Sequence, residues 1–204
     1  MGIPKLTKLI SDFCDIETTS LTLVSNGFDE AAVDASIFLY RFLHNSNNDS
    51  QFILNIIKFI TKLKELMLEP IFVLDGRSGK EKITTQNKRR QQKLNVKEKI
   101  SSLQIDIQGV TDIKTQNEIK LEIQKLMKKS ITITKRHIEL FKKTLTMLGI
   151  TYIQCKGEAD PLCAALVKQG IAKFCLSNDN DLLAHGWNIT CQNFRFSNND
   201  VTVY

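Results

Sequence analysis

Two spacings of apolar residues alternate along this chain. In one, short apolar runs appear, as in "AAVD" at 31–34, "PIFVLD" at 70–75, "ITYIQC" at 150–155 and "IAKFCLS" at 171–177. In the other, apolar residues return every three or four positions, as with Phe52, Ile56, Phe59, Leu63 and Leu66, and again with Ile138, Phe141, Leu145 and Leu148. A strand buried on both faces reads as a continuous run, whereas a helix with one buried face repeats near its own pitch. "IFLYRFL" after the first run and "LCAALVKQG" after the third supply further helices, and Gly149 and Gly170 stop two of them. The alternation predicts an α/β domain with a largely parallel central sheet flanked by helices.

One stretch breaks the pattern. From 77 to 99 apolar residues are scarce and mark no face, and Ile113, Ile119, Ile123, Leu126 and Met127 then form a second, amphipathic piece. A helix polar all round gains little from a core and faces solvent or a partner. The expected organisation is a helical insertion over 77–131, with 1–76 and 132–204 completing one α/β domain around it. "HNSNNDS" at 44–50 reads as a polar loop, and no internal repeat is visible.

Charge sharpens this division. The 204 residues carry a formal +6. Between 77 and 99, nine bases (Arg77, Lys80, Lys82, Lys88, Arg89, Arg90, Lys93, Lys97 and Lys99) stand against Glu81 and Glu98 alone. The rest is close to neutral, so one basic segment points to a polyanionic partner. No apolar run approaches the ~18 residues of a membrane span, and no signal-peptide core is present, so an intracellular chain without a membrane partner is expected. Five cysteines form no C-x-x-C pair and none has a histidine at zinc-ligand spacing, which suits reduced thiols rather than zinc.

Six acids fall at or just beyond the ends of the predicted strands: Asp34, Asp75, Glu158, Asp160, Asp179 and Asp181. In an open parallel sheet, ligands bind outside the carboxyl ends of the strands. Carboxylates held together there repel unless protons or cations neutralise them. Oxygen-only clusters suit hard divalent ions such as Mg²⁺ or Mn²⁺, and two ions ~4 Å apart can serve both the attacking and the leaving oxygen of a phosphodiester. Each acid also has a structural reading. Asp34 suits a helix N-cap, Asp160 before Pro161 a helix start, Asp75-Gly76 a turn, and "NDND" an Asx turn. Six strand-end acids beside an isolated basic segment are harder to explain as turns.

These residues resemble the flap endonuclease/XPG superfamily of structure-specific 5′ nucleases. "MGIPKLTKLI", "VDASIFLYRFL", "PIFVLDGRSGKEK…KRR" and "ITITKRHIELFKKTLTMLGITYIQCKGEADPLCAALVKQG" with "LSNDNDLLAHG" are similar to its sequence blocks, over most of the chain except about 101–130. The resemblance implies a PIN-like 5′-nuclease fold with a helical arch. It assigns Asp34, Asp75, Glu158, Asp160, Asp179 and Asp181 to two Mg²⁺ ions, with Mn²⁺ as a substitute. Lys82 and Arg89 match the basic pair that clamps the scissile phosphate. Gly2 matches the residue that becomes the N-terminus near the site. Tyr40 matches an aromatic that stacks on a base, against the alternative of a core tyrosine on its helix. Arg77, Lys80, Lys88, Arg90 and Lys93 fall in the arch and are expected to bind DNA. His137 and His185 are expected to be structural.

The implied activity is hydrolysis of DNA at 5′ flaps, branches or free 5′ ends in replication or repair. A 5′→3′ exonuclease and a catalytically incomplete DNA-binding fragment are the alternatives. The compartment would be the nucleus in a eukaryote, or host cytoplasm or virus factory for a virus. Two departures stand out. Asp160 replaces the family's usual Glu, and Pro161 a small helix former, which the first helical turn accepts. Family members also continue past "LLAHG" into a seventh acid and a helix-two-turn-helix, whereas this chain reaches Tyr204. A fragment or a minimal member is therefore expected.

Overall fold

The computed structural model describes residues 8, 12, 16–24, 29–76, 83–179, 190–195 and 199–203, apart from the side chains at 22, 23, 83, 85, 86 and 89. Two compact units emerge, one made of Met1–Ser78 with Thr134–Tyr204 and the other of Gly79–Ile133.

The first unit is built on a seven-stranded sheet among the described residues. Its strands are β1 (Glu17–Ser20), β2 (Asp29–Asp34), β3 (Leu68–Leu74), β4 (Tyr152–Gln154), β5 (Phe174–Leu176), β6 (Thr190–Gln192) and β7 (Asp200–Val203). They lie in the order β1-β7-β6-β5-β2-β3-β4. The contiguous strands β6-β5-β2-β3-β4 pair in parallel, and β7 runs antiparallel to both β6 and β1. The helices are α1 (Leu21–Val24), α2 (Ala35–His44), α3 (Asp49–Glu65), α6 (Lys135–Met147) and α7 (Asp160–Lys168).

The period-two alternation of a strand divides the core between two faces. Phe72 of β3 meets Phe141 edge-on, with ring centroids 5.3 Å apart, and joins a cluster with Phe59, Phe38 and Phe42 from α2 and α3. Its neighbour Val73 turns to the opposite face, where Ala32, Cys175 and Ile71 pack under Cys163, Leu166 and Val167 of α7. Burial of this kind contributes ~1.5–3 kcal/mol for each large side chain. Cys163, Cys175 and Cys191 are buried free thiols, as the odd cysteine count led one to expect; Cys14 lies outside the described residues.

Helix ends follow local chemistry. Thr134 and His137 form a reciprocal capping box on α6, so His137 has a structural role; His185 lies outside the described residues. Gly149 and Gly170 take positive φ angles of 67° and 71°, the left-handed stop that their positions predicted. β3 starts at Leu68, two residues earlier than the apolar run indicated. β1, β6 and β7 carry no run that the sequence reading singled out.

The second unit holds α4 (Ile83–Asp106), a short 3₁₀ turn (Ile107–Gly109) and α5 (Ile113–Lys129). α4 is exposed along nearly all its described length, whereas α5 buries Ile123. Lys99 Nζ meets Glu122 Oε1 at 2.7 Å, and Lys93 Nζ donates to the Ile131 carbonyl and Thr132 Oγ1 at 2.8 and 3.0 Å. These contacts hold α4 to α5 and to the segment that follows it.

Candidate active site

The parallel strands β2, β3, β4 and β5 end together, and their carboxyl edge carries five of the six predicted acids. Asp34 is the last residue of β2 and 5% exposed. It also caps α2, with Oδ1 accepting from Ser36 N at 3.0 Å. The structural and the functional readings of this residue therefore coexist. Its Oδ2 accepts from Ser177 Oγ at 2.9 Å.

Asp75 follows β3 directly. Its two oxygens accept from Ser36 Oγ at 2.6 Å and Ala159 N at 2.8 Å. The turn beside it depends on a close approach: Gly76 N donates to the Gly157 carbonyl at 2.6 Å, and a β-carbon on Gly76 would collide with the Cys155 carbonyl oxygen. Gln154 reinforces the same junction, with Nε2 donating to the Asp75 carbonyl at 2.6 Å. Glu158 and Asp160 come in on this loop, and Asp160 opens α7 with Pro161 in its first turn. Asp179 lies two residues beyond Ser177, whose hydroxyl accepts from Asp179 N at 3.2 Å.

The electrostatics confirm that these acids sense one another. Burial first, then repulsion from Asp75 and Asp179, pushes Asp34 up to about 6, against the hydrogen bonds from Ser177 and Ser36. Burial, then Asp34, Asp179, Asp75 and Glu158, pushes Asp160 up to about 7. Among the described residues, the charged neighbours that act on both are acids. Among the described residues no three or more His, Cys, Asp or Glu side chains converge into a coordination shell. The donor set of the described residues is oxygen-only, which fits a hard divalent cation.

The other predicted residues that are described lie on helices. Tyr40 is 46% exposed on α2, which removes the core alternative for its ring. Lys88 and Arg90 are exposed on α4, and Lys93 makes the contacts given above. Gly2, Arg77, Lys80, Lys82 and Asp181 lie outside the described residues, as does the side chain of Arg89. Sequence reasoning missed Ser36 and Ser177, which join Asp34 to Asp75 and to Asp179. Their signal was proximity alone: each stands two residues from a predicted acid, in "DAS" and "SND".

Residues 1–96 match the XPG N-terminal domain, and residues 149–204 match the XPG I-region. The chain belongs to the XPG family. It is 25% identical over 220 residues to the probable RAD2-like endonuclease 076L of Invertebrate iridescent virus 3, across 91% of this chain and 57% of that protein. It is 30% identical over 199 residues to flap endonuclease 1 of Theileria parva, across 91% of this chain and 38% of that one. This XPG-family chain thus spans about half the length of the viral relatives it matches. The catalytic core of Rad2 in complex with DNA substrate shares its fold, with a TM-score of 0.67 and 22% identity over 100% of this chain and 55% of that chain. So does the Holliday junction-resolving enzyme GEN1 in complex with product DNA and Mg²⁺, with a TM-score of 0.62 and 19% identity over 100% of this chain and 40% of that one.

Proposed function

We propose that this protein is a divalent-metal-dependent 5′ nuclease that hydrolyses DNA phosphodiesters at flaps or branched junctions. The observation that carries the reading is the acid edge: Asp34, Asp75, Glu158, Asp160 and Asp179 stand at the strand ends and act electrostatically on Asp34 or Asp160, and the charged neighbours of those two are acids among the described residues. Asp181, two residues beyond Asp179, completes the proposed set. When bound, Mg²⁺ or Mn²⁺ supplies charge neutralisation and Lewis-acid activation.

The chain's own residues do the positioning. Ser36 and Ser177 hold the Asp34 and Asp75 carboxylates in place, and the Gly76–Gly157 contact sets the loop that brings Glu158 and Asp160 to the edge. The exposed bases Lys88 and Arg90 of α4 suit a phosphate backbone, whose recognition by counterion release has little sequence preference. Lys82 and Arg89 are proposed as phosphate clamps and Tyr40 as a base-stacking ring. Gly2, Arg77, Lys80 and Lys93 are the remaining proposed DNA contacts.

The deciding experiment is cleavage of end-labelled 5′-flap DNA with Mg²⁺, with EDTA, and with Asp179→Asn. Metal-dependent cutting near the junction, lost in the variant, is expected. Binding without cutting would favour a DNA-binding fragment, a second reading that rests on the absence of a converged coordination shell among the described acids. Stepwise removal of mononucleotides from a free 5′ end would favour the exonuclease.

A further inference from the structure

β5 ends at Leu176, short of Asp179, and the chain between them is held from the turn after β6. Just beyond the ends of both strands the parallel ladder adds one rung, with Ser177 N donating to the Cys191 carbonyl at 3.2 Å. In a ladder that continued, Asn193 N would donate next to the Ser177 carbonyl. It donates instead to Asn178 Oδ1, at 2.8 Å. A side chain takes the place of a backbone acceptor there. The main chain at Asn178 and Asp179 can then leave the sheet without stranding the Asn193 donor.

Gln192 reaches the same segment from the end of β6. Its side chain is 3% exposed, and Nε2 donates to the Asp179 carbonyl at 3.4 Å. A buried amide without a partner is costly, so even this long bond directs Gln192 at Asp179. The turn that supplies these contacts is itself anchored. Phe194 is buried edge-on against Phe59, with ring centroids 6.2 Å apart, and its carbonyl accepts from Arg41 Nη1 at 3.0 Å. Asn193 links Gln192 to Phe194 with a φ of 56°, in the left-handed region that asparagine enters more readily than most residues.

We propose that Asn178 and Gln192 are positioning residues for Asp179, bracing the first acid beyond β5 from the turn after β6. Ser177 Oγ fixes the Asp179 amide, Asn178 fixes the residue before it, and Gln192 fixes its carbonyl. Both residues act through Asp179. They hold its main chain so that the carboxylate is set before a cation arrives, which is the contribution of supporting contacts around a metal ligand. The proposal rests on the nuclease reading, which makes Asp179 such a ligand.

Asn178→Ala and Gln192→Met, each compared with the unaltered 204-residue chain, test it. The measurements are amide hydrogen exchange in EDTA, calorimetric titration with Mn²⁺ at pH 8, and melting temperature. Exchange at the Asp179 amide is expected to quicken in both variants, and at Asn193 in Asn178→Ala, while Leu176 keeps its rate. Mn²⁺ affinity is expected to fall about ten- to hundredfold in both. A contact that serves the fold alone would lower the melting temperature and leave the Mn²⁺ affinity of the folded chain unchanged; that pattern would overturn the proposal. So would an Asp179 amide that exchanges at its original rate in both variants. Asn178 is exposed, so its variant keeps the test valid if loss of the buried Gln192 amide loosens the fold. An unaltered chain that binds no Mn²⁺ would overturn the nuclease reading, and faster exchange at Asp179 in the variants would still uphold the brace.

Discussion

Ser177 at the end of β5 donates its hydroxyl to Asp34 Oδ2 at 2.9 Å, joining two neighbouring parallel strands through side chains that are both buried. Ser177 Oγ in turn accepts from Asp179 N at 3.2 Å, so one hydroxyl orients two acids. Ser177→Ala leaves a buried carboxylate short of a donor, which costs about 1–3 kcal/mol. Urea denaturation at pH 7 should show that loss, and flap cleavage should fall with it. An unchanged midpoint would remove Ser177 from the scaffold of the edge.

The acid edge makes metal-free stability depend on pH. Asp34 and Asp160 are raised to about 6 and about 7 from an ordinary 3.8. As pH climbs from about 4, the unfolded chain releases these protons first while the folded chain keeps them, so stability falls through about pH 7 and then levels off. Mg²⁺ binds the folded state and is expected to restore stability at pH 8. Melting temperatures in EDTA across this window, for the protein and for Asp34→Asn with Asp160→Asn, give the check. A slope that survives both substitutions would place its origin elsewhere.

Gly76→Ala drives a β-carbon into the Cys155 carbonyl and Lys156 backbone. The clash must move the loop that carries Glu158 and Asp160. Destabilisation of about 1–3 kcal/mol is expected, with a larger drop in cleavage than in DNA binding. Equal drops in both would mean the loop serves the fold only.

On α4, Lys88 and Lys93 should behave differently. Lys88 is exposed, and Lys88→Gln is expected to lower the salt slope of DNA binding by about one, without sequence preference. Lys93 holds the Ile131 carbonyl and Thr132, so Lys93→Gln should also speed amide hydrogen exchange around 130–132. Identical exchange in the two variants would make Lys93 another backbone contact only.

The aromatic core offers a test of the fold itself. Phe141 is fully buried against Phe72, and Phe141→Ala is expected to cost about 3–5 kcal/mol. Urea denaturation measures that loss, and an unchanged midpoint would remove Phe141 from the core.

Apolar runs and helical repeats were enough to read β2 to β5 and the helices around them, because β2, β3 and β5 are buried over most of their length and so read as apolar runs, with β4 half-buried at the edge. They were also enough to put Asp34, Asp75, Glu158, Asp160 and Asp179 at or just beyond strand ends, since a residue that follows such a run stands past its end; Asp181 lies outside the described residues. The short strands β6 and β7, with Thr190 and Gln192 buried and Asn199 in a left-handed turn, carry no such signal. Their burial comes from pairing with neighbours distant in sequence, which no local pattern encodes. For the same reason only the tertiary structure could show that Ser36 and Ser177 tie the acids together. Residues 39 positions apart, as Ser36 and Asp75 are, or 143, as Ser177 and Asp34 are, acquire a relationship only when the sheet brings their strands side by side.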